Sequence, residues 1–174
     1  MKHYILSLLA AATLLFFYSC DLDDPIIDYV PVVWNVVALD AEGNNLFDPD
    51  YEGNIIAETT VTYDGETYNI LDGLHNDPNV QSRAYLARFG NPYVGTDFRS
   101  GGTTPILYIG EWNGDGHWDN ETVVINWPGG TQSTLSFTLT KPGWTEADYF
   151  IDGQKTKSPI VRFVRRDNHF ELKK

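Results

Sequence analysis

ETVVINWPGGTQSTLSFTL, residues 121–139, alternates, turns and alternates again. Val123, Ile125 and Trp127 recur at every second position. After Pro128-Gly129-Gly130-Thr131 the rhythm returns in Leu135, Phe137 and Leu139. Successive side chains on a strand point to opposite faces, so this pattern predicts two strands, each with one face on a core. Pro and Gly between them supply the backbone conformations of a turn.

Working outward, Thr59–Tyr63 and Glu66–Leu71 flank Asp64-Gly65. That dipeptide tolerates the positive φ of a two-residue hairpin turn, and Val61, Tyr63, Tyr68 and Ile70 are residues that strands favour. Val32–Leu39 reads as a first strand, ended by Asp40–Asn45. Ala84–Phe89 and Pro105–Trp112 read as strands separated by a Gly/Thr/Ser-rich loop, Asn91–Thr104. Ala147–Ile151 and Ile160–Arg165 read as a third pair across Asp152–Pro159, with His169–Leu172 as a terminal strand. Lys141–Glu146 is long enough for one helical turn, and no amphipathic helix of ten residues or more is visible. Eight or nine short strands with regular turn signals predict an all-β fold. The expected form is a single antiparallel β-sandwich over residues 32–174, with a partly open β-barrel as runner-up.

Composition narrows the chemistry. Residues 21–154 carry four basic side chains against 22 acidic ones, whereas residues 155–174 carry seven basic against Asp167 and Glu171. An acidic body disfavours nucleic acid and anionic headgroups. The basic tail is expected to be a last strand pairing with an acidic sheet rather than a polyanion contact. Cys20 is the only cysteine, so no internal disulfide or thiolate site is expected. Stability must come from packing, for which 14% aromatic residues supply large apolar groups.

The N-terminus carries an address. Lys2 and His3 precede a nearly uncharged apolar run, Tyr4–Tyr18, followed by Ser19-Cys20. A run of this length suits a signal-peptide core better than a transmembrane helix, which needs roughly 20 residues. Phe17-Tyr18-Ser19-Cys20 resembles the lipobox of bacterial lipoproteins. The resemblance implies cleavage after residue 19 and a diacylglycerol on the Cys20 thiol. Residues 1–19 are then signal peptide, and residues 20–31 an acylated, acidic tether. Asp21-Leu22-Asp23-Asp24 resembles the surface-export signal of Bacteroidota-type lipoproteins, implying a lipid-anchored protein on the outer face of the outer membrane. The alternative is a periplasm-facing protein whose acids only solvate the tether. Leader, tether and strand rhythm together resemble small surface lipoproteins with an immunoglobulin- or transthyretin-like sandwich. No functional residue carries over from that resemblance.

Two patterns suggest ligands. Asn113-Gly114-Asp115-Gly116-His117-Trp118-Asp119-Asn120-Glu121 places oxygen-bearing side chains at alternate positions, among glycines that let a backbone curl round a hard cation. Asn113, Asp115, Asp119 and Glu121 are therefore candidate Ca²⁺ ligands. Trp118 stands where a calcium loop has glycine, and turns prefer the same residue types, so no metal site or other cofactor is expected. Phe47–Asn54 reads the same way. Trp118 and Trp144 lie in turn-rich segments, where exposed rings flanked by carboxylates and amides suit sugars. For catalysis, His75, His117 and His169 are isolated, and no serine has a nucleophile-elbow context. The expected function is a non-catalytic, lipid-anchored surface protein serving as a binding or accessory subunit, with an unknown protein or glycan partner. A glycan-binding module for polysaccharide uptake ranks second and an enzyme a distant third.

Overall fold

The computed structural model of the chain describes residues 31–73, 92–96, 104–141, 147–167 and 169–173. In chain order its strands are β1 (Pro31–Leu39), β2 (Thr60–Tyr63), β3 (Glu66–Asn69), β4 (Leu71–Asp72), β5 (Tyr93–Thr96) and β6 (Pro105–Asn113). The second half supplies β7 (Trp118–Asn126), β8 (Gln132–Leu139), β9 (Asp148–Ile151), β10 (Gln154–Thr156), β11 (Ile160–Arg166) and β12 (His169–Leu172). They form two six-stranded sheets, ordered β12-β11-β1-β6-β5-β4 and β10-β9-β8-β7-β2-β3. Neither sheet closes on itself, so the molecule is a β-sandwich and not a barrel. Among the described residues no helix is long and apolar enough to cross a membrane.

The alternation of residues 121–139 is that of two strands with one face on the core. Val123, Ile125, Leu135, Phe137 and Leu139 are fully buried between the sheets, facing Trp34, Val36 and Ala38 of β1 and Leu107 and Ile109 of β6. Rings cross the gap: Trp34 meets Tyr149 edge-on at 5.3 Å, Trp112 meets Phe137 at 5.0 Å and Trp127 meets Phe163 at 5.2 Å. Aromatic pairs in such offset or tilted geometry add about 0.5–1.5 kcal/mol each beyond their burial. Leu46, Phe47, Ile55 and Ile56, from the long connection between β1 and β2, join the same core.

One irregularity decides whether Trp112 reaches that core. Against β1, the register runs Val32↔Trp112 but Trp34↔Ile109, so β6 carries one extra residue. Strict alternation from Leu107 and Ile109 would send Trp112 to the opposite face. The bulge resets the phase, and Gly110 supplies the positive φ of 73° found there.

Several expected pairings differ. Asp64 and Gly65, with φ of 49° and 80°, turn β2 into β3 as expected. The strand predicted to run on to Leu71 instead breaks at Ile70. Ile70 is buried in the core, and Leu71–Asp72 pairs in the other sheet, parallel to β5. Within the predicted loop 91–104, Tyr93–Thr96 is a strand: Val94 is fully buried, and Tyr93 stacks on Tyr108 at 5.0 Å. Ala147–Ile151 does not pair with Ile160–Arg165. Asp152-Gly153, with φ of 49° and 76°, makes a tight hairpin that folds β9 onto β10. The chain then changes sheet, and β11 pairs parallel to β1 from Asn35↔Ile160 to Leu39↔Val164. An all-antiparallel sandwich is thus corrected to a mixed one with twelve strands among the described residues. Ala84–Phe89 and most of Lys141–Glu146 lie outside the described residues.

Candidate functional site

The loop between β6 and β7 forms a tight polar turn. Asp115 N–H donates to Asn113 Oδ1 at 2.8 Å, and Gly116 N–H donates to the Asn113 carbonyl at 3.0 Å. Trp118 folds back over this turn, its Nε1–H donating to the same carbonyl at 2.8 Å. A Cβ on Gly116 would stand 2.8 Å from that indole nitrogen, so glycine is what lets the ring lie down. Trp118 is half-buried and packs on the core edge.

The four candidate calcium ligands do not gather. Asn113 Oδ1 holds the turn, and Asp115 and Asp119 are exposed. A register shift between Trp118 and Glu121, with Asn120 at a φ of 51°, sets Glu121 toward β2. There its carboxylate accepts from Tyr63 Oη at 2.8 Å, and Trp112 Nε1–H donates to the same hydroxyl at 3.4 Å. Burial, chiefly, and the bond to Glu121 raise the Tyr63 pKa, while the donor from Trp112 opposes them. Among the described residues no three His, Cys, Asp or Glu side chains are placed to share a metal ion. In Phe47–Asn54, Asp48 Oδ1 accepts the Asp50 N–H at 3.0 Å and Phe47 is buried, the geometry of a turn.

A second polar cluster closes the end of β1. Asp40 is a buried carboxylate that accepts from the Asn44 backbone N–H at 2.8 Å, from Asn44 Nδ2 at 2.8 Å and from Tyr51 Oη at 2.7 Å. Burial alone would raise its pKa. The hydrogen bonds, led by those from Asn44 and Tyr51, outweigh it and hold the group at about 2. Its partner Tyr51 is shifted up, first by that same bond. Beside the cluster lies a shallow groove of about 480 Å³ between Leu39–Gly43 and the ends of β11 and β12. Its charges are mixed: Arg166 meets Glu171 at 3.4 Å, with Glu42 and Lys173 nearby.

The outer face of the second sheet is of another kind. Positions that alternate with the core residues carry hydroxyls and amides in register across strands. Thr60, Asn126 and Gln132 form one row, and Thr62, Val124 and Thr134 the next. Thr122, Ser136 and Phe150 form a third. Asn126 Nδ2 donates to Thr60 Oγ1 at 3.1 Å and Thr62 Oγ1 at 3.0 Å, and Gln132 Nε2 donates to Asn126 Oδ1 at 2.8 Å. None of these nine side chains ionises. On the first sheet, by contrast, the outward Val37 and Ile106 are buried.

Of the residues singled out in the sequence, Trp118, Asn113, Asp115, Asp119 and Glu121 lie on or near one turn, while Cys20 and Trp144 lie outside the described residues. The neutral face was not singled out, although its signal was present in the polar half of the same alternation. Fold and surface together define an open, two-sheet β-sandwich with an uncharged polar face. No protein-family model matches the chain, and neither does any curated protein or solved structure.

Proposed function

We propose that the chain is a lipid-anchored protein of the cell surface that acts as a non-catalytic binding or accessory subunit. The observation that carries this reading is how its polar chemistry is distributed. Among the described residues the shifted titratable groups are held in hydrogen bonds: Asp40 with Tyr51 and Tyr63 with Glu121 knit separate segments, and Tyr68 bonds Glu66 within β3. The broad polar surface is instead a regular strand face, open to a partner. Anchoring is supported by Cys20 at the end of the apolar run and by the eleven-residue step from Cys20 to the start of β1 at Pro31. Asp21, Asp23 and Asp24 support display outside the outer membrane, with a periplasm-facing anchor as the alternative.

Cys20→Ala tests the anchor. One acyl-bearing residue holds the domain, so its loss should move the protein from the membrane fraction to the soluble fraction at physiological salt. Retention of Cys20→Ala in the membrane fraction would overturn the reading. A second reading, a glycan-binding module for polysaccharide uptake, is favoured by the neutral face. It is less well served by Trp118, whose N–H is already engaged within its own turn.

A further inference from the structure

We infer that the outer face of the second sheet is a binding platform for a neutral polysaccharide, centred on Phe150 and Ser136. This rests on reading the domain as a non-catalytic binding module and names its site and ligand class. The first support is electrostatic. The chain has 24 acidic and 12 basic residues, yet the rows across β2, β7 and β8 are uncharged. At the β9–β10 edge Lys155 lies opposite Phe150 and pairs with Asp148 at 2.6 Å, and Asp152 Oδ1 accepts the Thr134 N–H at 2.7 Å. The charges at that edge are one ion pair and one carboxylate engaged with backbone, which make neither a basic patch for a polyanion nor a carboxylate cluster for a cation. Its complement is a neutral ligand.

The second support is hydrogen-bonding capacity. Hydroxyl and amide side chains both donate and accept, as sugar hydroxyls do. Here they are already ordered by the bonds from Gln132 to Asn126 and from Asn126 to Thr60 and Thr62. A pre-ordered surface loses little side-chain entropy on binding. Strands lie about 4.8 Å apart, close to the length of one pyranose residue in an extended chain, so a glycan crossing along the third row meets the hydroxyls of Thr122 and Ser136 and then the Phe150 ring. Phe150, half-buried opposite Ser136, offers its ring to the C–H face of a sugar. A protein partner would instead require several apolar or aromatic anchors at the centre of the contact. The rows supply Val124 and Phe150.

The test is native affinity electrophoresis of the acylated full chain in detergent. The gels contain hydroxyethylcellulose, xyloglucan or galactomannan, with polygalacturonate as the anionic control. At least one neutral polymer should retard the protein and polygalacturonate should not. Phe150→Ala and Ser136→Arg should each weaken retardation at least tenfold. Ser136 is half-exposed, so the arginine variant should keep the wild-type thermal midpoint and separate lost binding from lost folding. Trp118→Ala should still be retarded. The inference is overturned if no neutral polymer retards the protein, if polygalacturonate does so equally, or if folded Ser136→Arg migrates as wild type. Loss of retardation in Trp118→Ala alone would overturn it too, by moving the site to the loop. Because the assay is independent of anchoring, these failures leave the lipid-anchored reading to the fractionation experiment.

Discussion

Gly110 shows how one residue places a whole side chain. Its φ of 73° lies where an L side chain is strained, and a Cβ there would stand 2.0 Å from the Trp112 ring. Gly110→Ala therefore meets backbone strain and overpacking together, at a cost of about 3 kcal/mol or more. The urea midpoint should fall accordingly; an unchanged midpoint would remove the bulge as the reason Trp112 reaches the core. Asp40 makes a different residue-scale demand. Its pKa falls from 3.8 to about 2 on folding, so the stability it adds is full above pH 3.8 and is lost as the pH drops through 2. Asp40→Asn should lower the thermal midpoint at neutral pH, because an amide presents donors where Asn44 and Tyr51 also donate. It should also flatten the fall in midpoint between pH 4 and pH 2. Parallel acid profiles for the two proteins would contradict that assignment.

At the scale of elements, β12 is held by a ring more than by charge. The sequence suggested a basic tail strand pairing with an acidic sheet. Instead β12 pairs with β11, which itself carries Arg162, Arg165 and Arg166. The hairpin's ion pair, Arg166–Glu171 at 3.4 Å, joins two exposed side chains and contributes about 0–1 kcal/mol. Phe170 stacks on Trp127 at 4.1 Å with planes 9° apart, and Trp127 in turn contacts Phe163 and Phe47. Phe170→Ala should thus cost about 2 kcal/mol and change the Trp127 environment seen by near-ultraviolet circular dichroism. Glu171→Ala should stay within about 0.5 kcal/mol of wild type in the same denaturation experiment. Equal losses would mean that charge, not ring packing, holds the strand.

Across the whole molecule, the sheets divide the work. The first sheet is extended by the parallel join of β1 to β11, with Asn35 N–H donating to the Pro159 carbonyl at 2.9 Å where the chain arrives from the other sheet. This join brings residues from opposite ends of the chain side by side, so the domain needs its C-terminal segment to complete the sheet. Closing so long a loop costs entropy that only the finished core offsets. Trp34 shows the scale of that offset. It is fully buried, and its indole nitrogen has no hydrogen-bond partner among the described residues, a cost of about 1–3 kcal/mol carried by packing. The second sheet joins the hairpins β2–β3, β7–β8 and β9–β10, pairs β2 with β7 across the chain's excursion through the first sheet, and keeps its outer face polar.

The β-sandwich class, the core faces of β7 and β8 and the Asp64-Gly65 hairpin are legible in the residues alone, because each follows from period-two burial or local turn chemistry. The neutral outer rows were equally legible, being the polar half of that alternation. Which strands pair at a distance depends on the packed fold as a whole. Nothing local in Ile160–Arg165 distinguishes an antiparallel partner in β9 from a parallel one in β1, since both bury Val161 and Phe163. The same holds for Ile70 and Leu71, where the chain leaves one sheet for the other, and for Val94, whose short strand lies among Gly and Thr. The alternating oxygens of Asn113–Glu121 likewise matched a ligand loop by spacing. Their convergence depended on where the bulge and Tyr63 lay, and there Glu121 accepts from Tyr63 while Asn113 Oδ1 holds its own turn.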